Sequence, residues 1–160
     1  MISYIFCDVD GVLTDGGYIV DHEGNISKRF HTRDIDCLSR LVKKGYKVFC
    51  ITSSNDNCTI KKMEAVGIYL IYNCLDKNDY IEDYFINKSL CSWDNILFIG
   101  DGINDLKCMS RCKIKSCPKD ASKFILNIED IVISDVCGGH GCVEDIVYKL
   151  SDDLRILIND

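Results

Sequence analysis

Short apolar runs that alternate with amphipathic segments constrain this chain more than any other feature of its sequence. Tyr4–Cys7, Val48–Ile51, Ile68–Tyr72, Ile96–Ile99 and Ile131–Ile133 are rich in β-branched or aromatic residues and short enough to be buried strands. Between them, Ile35, Leu38, Leu41 and Val42 share a helical face ahead of Gly45, and Ile60, Met63 and Val66 do so ahead of Gly67. Ile81, Tyr84 and Phe85 line a third helix. Strand, helix, strand repeated in this way predicts an α/β fold with a doubly wound parallel sheet covered on both faces. The 160 residues form a single predicted domain, residues 1–160, because a chain near this size buries roughly 68–70% of its unfolded surface. Residues 16–31 break the alternation, and two extended runs around a turn at Gly24 read as a β-hairpin flap inserted after the first strand.

Composition removes several classes of function. A formal charge of −6, with scattered Lys and Arg, argues against nucleic acid as a partner, because phosphate-backbone binding needs clustered cations. An acidic protein acting on an anionic substrate needs local positive charge, and a bound metal ion supplies it. The cysteine count, 11, is odd, no Cys-x-x-Cys pair is present, and Met1–Asp8 has no basic stretch leading into an apolar one. Reduced, mostly structural thiols in a cytoplasmic protein are therefore expected. No apolar run approaches the ~20 residues of a membrane span, so no membrane partner is expected.

In doubly wound sheets, ligands bind beyond the carboxyl ends of the strands, so the residues that end each run carry the chemistry. The first run delivers Asp8 and Asp10 on one side of an extended chain, followed by Gly11 where the backbone must turn. One carboxylate can attack phosphorus while the other handles the proton of the leaving oxygen, although Asp and Gly are also common in plain loops. The second run delivers Thr52, a hydroxyl for phosphoryl oxygens or else a helix cap for the segment starting near Asp56. Lys77 follows the third run and is either a phosphate ligand or a solvated lysine. The fourth delivers Gly100-Asp101-Gly102-Ile103-Asn104-Asp105, whose acids suit a hard cation such as Mg²⁺ or a helix N-terminus.

In conjunction, Asp8-Val9-Asp10-Gly11-Val12, Thr52, Lys77 and Gly100-Asp101-Gly102-x-x-Asp105 resemble the four motifs of the haloacid dehalogenase superfamily, in order and spacing, over nearly the whole chain. No room is left for a cap domain. Asp10–Gly16 with the hairpin behind it, Phe30–Asp34, and Gly138-Gly139-His140-Gly141 are similar to the capless phosphatases of 3-deoxy-octulosonate 8-phosphate or nonulosonate 9-phosphates. The resemblance implies a Rossmann-like core and a Mg²⁺-dependent phosphomonoesterase working through an aspartyl-phosphate. Asp8 would be the nucleophile, Asp10 the acid and base, and Thr52, Lys77 and Gly11 the phosphate-binding groups. Asp8, Asp10 through its carbonyl, and Asp101 would hold the metal, with Asp105 behind them and Asp15, Arg33 and His140 facing substrate. It also implies a homotetramer packed through the hairpins, with the C-terminal tail of one subunit covering a neighbour's site, and a place in lipopolysaccharide or sialic acid biosynthesis. The chain departs from the family pattern at Gly102, which replaces a usual second acid, at Ser53-Ser54, where Gly-Arg is frequent, and at Ile35-Asp36, where glycines are. The competing expectations are a non-catalytic oligomerisation domain of a sugar-acid activating system and a phosphatase of other small phosphate esters.

Overall fold

The computed structural model describes residues 1–151 and carries the expected alternation as six parallel strands. The first half contains β1 (Tyr4–Asp8), the hairpin strands β2 (Ile19–Val20) and β3 (Ile26–Ser27), α1 (Thr32–Lys43), β4 (Lys47–Ile51), α2 (Asn57–Val66), β5 (Tyr69–Ile71) and α3 (Lys77–Ile81). The second half contains β6 (Ile96–Ile99), α4 (Leu106–Met109), β7 (Ile114–Cys117), α5 (Lys123–Leu126), β8 (Val132–Ile133) and α6 (Cys142–Lys149). Residues 152–160, on which the expectation about the tail falls, lie outside the described residues.

The sheet order is β5-β4-β1-β6-β7-β8, so the chain winds outward from β1 through β4 and β5, then crosses back to add β6, β7 and β8 on the other side. This reversal at β1 opens a crevice at the strands' carboxyl ends. Both sheet faces are covered, and the period-2 alternation of strand side chains divides them. Ile5 and Cys7 of β1 with Leu97 and Ile99 of β6 pack against Leu38, Leu41, Val143 and Ile146 of α1 and α6. Phe6 with Ile96 and Phe98 packs on the opposite face against Ile81, Phe85, Met109 and Ile125. No cap domain is present among the described residues.

Several local expectations change. β7 was not expected, and Ile68–Tyr72 and Ile131–Ile133 shorten to β5 and β8. Val42 and Tyr84 stand largely exposed, because each lies at the edge of its helix's apolar stripe. The third helix is α3 followed by a π-helical turn over Glu82–Ile86, closed by Asn87 N–H donating to the Glu82 carbonyl at 2.8 Å. The extra residue in that turn brings Phe85 into the core, where its ring meets Phe6 edge-on at 5.1 Å.

The hairpin is narrow, with two-residue strands in the register Ile19–Ser27 and Val20–Ile26. Asp21 closes its turn by accepting the N–H groups of Glu23 and Asn25 at 2.9 and 2.8 Å, and Gly24 takes φ +83°. All eleven cysteines are free and eight of them are buried, which makes them apolar filler in place of a disulfide framework. Burial pushes the Cys50 thiol up to about 12, with the charge of Asp8 adding to it. No helix among the described residues is long and apolar enough to cross a membrane.

Asp34, near the start of α1, does not cap its own helix. Its buried carboxylate accepts the N–H groups of Gly141, Val143 and Glu144 at 3.1, 2.9 and 3.1 Å and so caps α6. Burial raises its carboxyl above the usual range, against the pull of these three donors. Asp34→Ala would orphan all three and is expected to cost about 1–3 kcal/mol. That corresponds to a melting point lower by roughly 2–12 °C in a domain of this size, readable by circular dichroism.

Candidate active site

The carboxyl ends of β1, β4 and β6 and the start of α3 converge on one cluster. Asp8, the last residue of β1, is 7% exposed and its Oδ1 accepts from Lys77 Nζ. Lys77 Nζ lies 2.6 Å from that oxygen and 2.7 Å from Asp105 Oδ1, so Lys77 is a buried bridging cation and not a solvated lysine. Burial alone would lower its ammonium pKa, but the two carboxylates outweigh burial and raise it. Asp105 Oδ2 accepts the N–H groups of Asp101 and Gly102, both at 3.1 Å, and thereby takes the capping role that was open for Asp101. The Asp101 side chain is left to face Gly11 and Asp8.

Thr52 is buried just past β4, and its Oγ1 accepts the Ser54 N–H at 3.1 Å, which keeps the hydroxyl proton for another acceptor. The helix cap considered for Thr52 belongs to Asp56, whose Oδ1 accepts the Thr59 N–H at 2.8 Å. Gly11 takes φ +90°, and a Cβ there would lie 2.1 Å from Asp101 Oδ2, so only glycine lets the two strand ends meet. The Gly138-Gly139 pair braces the same loop from the far end of the chain. A Cβ on Gly138 would lie 1.9 Å from the Gly11 carbonyl oxygen, and Gly139 N–H donates to the Val12 carbonyl at 2.8 Å.

Asp8, Asp101 and Asp105 each bring a carboxylate oxygen within 4.8 Å of the others. Both oxygens of Asp105 already accept from Lys77 and the main chain, which leaves Asp8 and Asp101 to face a cation. The Asp10 carbonyl, the third expected ligand, accepts no backbone hydrogen bond among the described residues. An all-oxygen set of this kind fits Mg²⁺. The crowding shows in the acids themselves. Burial, then the charge of Asp105, lift Asp8 well above the usual carboxylate range, and the same causes in the same order raise Asp101 to about 6. A cation must displace the proton that Asp101 holds more tightly here than in an unfolded chain. The Mg²⁺ concentration for half-saturation is therefore expected to rise as pH falls below about 6, by up to tenfold per unit for one displaced proton. Isothermal titration with Mg²⁺ between pH 5 and 8 measures it.

The residues expected to face substrate, Asp15, Arg33 and His140, are exposed and lie outside the buried carboxylate cluster. Asp15 Oδ1 accepts the Gly17 N–H at 2.9 Å. His140 Nδ1 lies 2.7 Å from the Gly138 carbonyl, which assigns the ring proton to that nitrogen, and Nε2 accepts from Arg29 at 3.2 Å. Arg33 turns toward α6, where its Nε lies 3.3 Å from Glu144 beside Gly141. A groove of about 590 Å³ between α1 and α6 includes Arg33, Cys37, Arg40 and Val147 in its lining but none of the clustered carboxylates. Sequence reasoning missed Lys28 and Asp56. Lys28 Nζ, on a side chain 3% exposed, lies 2.8 Å from Asp10 and 2.7 Å from Asp56. The only sequence signal was a lysine directly after an extended run, which also describes most solvated lysines.

No family model matches the chain. It is similar to N-acylneuraminate cytidylyltransferase A of Danio rerio, 25% identical over 152 residues, and spans 94% of this chain but only 35% of that protein. It is also similar to the 3-deoxy-D-manno-octulosonate 8-phosphate phosphatase of Haemophilus influenzae, 27% identical over 91% of this chain and 80% of that one. Among solved structures, a HAD superfamily subfamily III A hydrolase from Legionella pneumophila superposes with a TM-score of 0.88 at 28% identity, over 96% of this chain and 84% of that chain. The 3-deoxy-D-manno-octulosonate 8-phosphate phosphatase of Moraxella catarrhalis, solved with magnesium, phosphate and KDO, superposes with a TM-score of 0.85 at 25% identity, over 94% of this chain and 86% of that one.

Proposed function

Because the chain belongs to the haloacid dehalogenase superfamily, in its octulosonate 8-phosphate phosphatase-like family, we propose that it hydrolyses the phosphomonoester of a 2-keto-3-deoxy sugar acid. The observation that supports the reading is the Asp8–Lys77–Asp105 bridge, a buried cation between two acids where the sheet's winding reverses. Octulosonate 8-phosphate and nonulosonate 9-phosphates are the two candidate substrates.

Lys77 holds Oδ1 of Asp8, so the second carboxylate oxygen attacks phosphorus, forming an O–P bond as the bond to the sugar oxygen breaks. Asp10 gives its proton to that leaving oxygen and then takes one from the water that cleaves the aspartyl-phosphate. The Thr52 hydroxyl, Lys77 and the Gly11 N–H hold the phosphoryl oxygens as charge redistributes. Asp105 keeps Lys77 in place. Asp8 and Asp101, with the Asp10 carbonyl, would hold Mg²⁺, which would supply the positive charge that lets a dianion approach an acidic site. Asp15, Arg33 and His140 are proposed to select the sugar acid.

The reading extends to one domain over residues 1–160, in the cytoplasm, assembled as a homotetramer through the flap. Tyr18, Ile19 and Val20 are exposed apolar side chains on that flap, which supports its being covered by another subunit. A tetramer by light scattering is the expected result, and an active monomer would contradict it. The similarity to about a third of a cytidylyltransferase favours one other reading, a non-catalytic association module. Mg²⁺-dependent phosphate release from a generic aryl phosphate separates the two. A panel of phosphorylated sugar acids against nucleotides tests the substrate class, and preference for nucleotides would overturn it.

A further inference from the structure

We propose that Lys28 is a positioning residue for the reaction, reaching from the flap to lock the Asp10 carboxylate and to tie it, through Asp56, to the start of α2. The proposal rests on the phosphatase reading above. Lys28 follows β3 directly, so the strand's end aims its side chain inward while Tyr18, Ile19, Val20 and Ile26 of the same hairpin stay exposed. Its ammonium lies 2.8 Å from Asp10 Oδ1, 2.9 Å from Asp10 Oδ2, 2.7 Å from Asp56 Oδ2 and 3.5 Å from Thr59 Oγ1. A buried lysine is costly to desolvate and persists only when its donors are met, as they are here.

The contact to Asp10 is not incidental to anchoring the flap. Asp56 by itself is a sufficient anchor, being fixed by Ser54 Oγ at 2.7 Å, by Cys58 and by the Thr59 N–H. Burial would raise the Asp56 carboxyl, but these bonds and Lys28 hold it well below the usual range, so it is a fixed negative post. Lys28 instead spans from that post to both oxygens of Asp10, and Thr14 Oγ1 meets Asp10 Oδ1 from the other side at 3.3 Å. The Asp10 side chain is 32% exposed, more open than those of Asp8, Asp56 and Asp105, and no other cation among the described residues contacts it. A flexible carboxylate that must face first a leaving oxygen and then a water gains most from such a clamp, since a displacement of about 1 Å can cost about 10²-fold in rate.

Lys28→Met and Lys28→Arg, each assayed per folded protein with Mg²⁺ and a generic aryl phosphate, test the role. Lys28→Met is expected to lower kcat by about 100-fold with KM within about threefold, and Lys28→Arg to recover at least about tenfold of that loss. A kcat for Lys28→Met within about threefold of the native value, or a Lys28→Arg as slow as Lys28→Met, overturns the proposal. Should Lys28→Met fail to fold, Asp56→Asn decides: a kcat lower by about tenfold at unchanged KM supports the clamp, and an unchanged kcat overturns it. A native protein that releases phosphate from no ester at all would instead overturn the phosphatase reading, and this role with it.

Discussion

Asp8→Asn is expected to lose at least about 10³-fold in phosphate release while keeping its fold. The amide occupies the same space at the end of β1 and keeps an oxygen for Lys77 to donate to, so the packing around it is undisturbed. What disappears is the second, anionic carboxylate oxygen that attacks phosphorus, replaced by a non-nucleophilic amide nitrogen. The substitution also removes one charge from a crowded group of acids, since Asp105 and Asp101 both push the Asp8 carboxyl upward. The melting point without metal is therefore expected to stay level or rise. Acid-quenched samples of the native protein should retain covalent phosphate, and those of the variant none. A variant that turns over within tenfold of native would remove Asp8 from the reaction.

Lys77→Met is expected to damage both stability and rate. Its ammonium sits between Asp8 and Asp105, and both partners are nearly sealed from water. Methionine fills most of the volume but leaves two carboxylates facing each other. Removing the cation from such a buried group, which leaves both acids uncompensated, costs about 3–5 kcal/mol, or roughly 6–20 °C for a domain of this size. Mg²⁺ should raise the melting point of the variant more than that of the native protein, because the ion replaces part of the missing charge. An unchanged melting point would show that Lys77 does not hold the two acids together.

The strands that build the site were legible because each ends abruptly in one chemically distinctive residue, as β1 does at Asp8 and β6 does ahead of Gly100-Asp101. β7 was not, since Lys115 and Ser116 interrupt its apolar pattern and its place in the sheet is set by pairing with β6 and β8. Thr52 and Lys77 had two readings each, and tertiary contacts removed one of them, since the helix cap falls to Asp56 and Lys77 is buried between two acids. Asp34 was visible only as the end of the Phe30–Asp34 stretch, and its capping role was not, because its partners lie more than a hundred residues away at Gly141–Glu144. Lys28 was hidden for the same reason, because its pairing with Asp56 is a tertiary fact and its own neighbourhood is a polar hairpin.

The brace of Gly138 and Gly139 against the loop of Gly11–Thr14 has a consequence for how the chain matures. Val12 receives the Gly139 N–H and the Cys142 thiol only after a long stretch of further synthesis, Cys142 standing 130 residues on. A nascent chain displays Asp8 and Asp10 well before Gly138, so the turn that aims them lacks its support until the segment leading into α6 has been made. This long sequence separation makes closure a late and slow event compared with helix formation. Chains truncated before Gly138 would thus carry every carboxylate of the cluster and are expected to be inert.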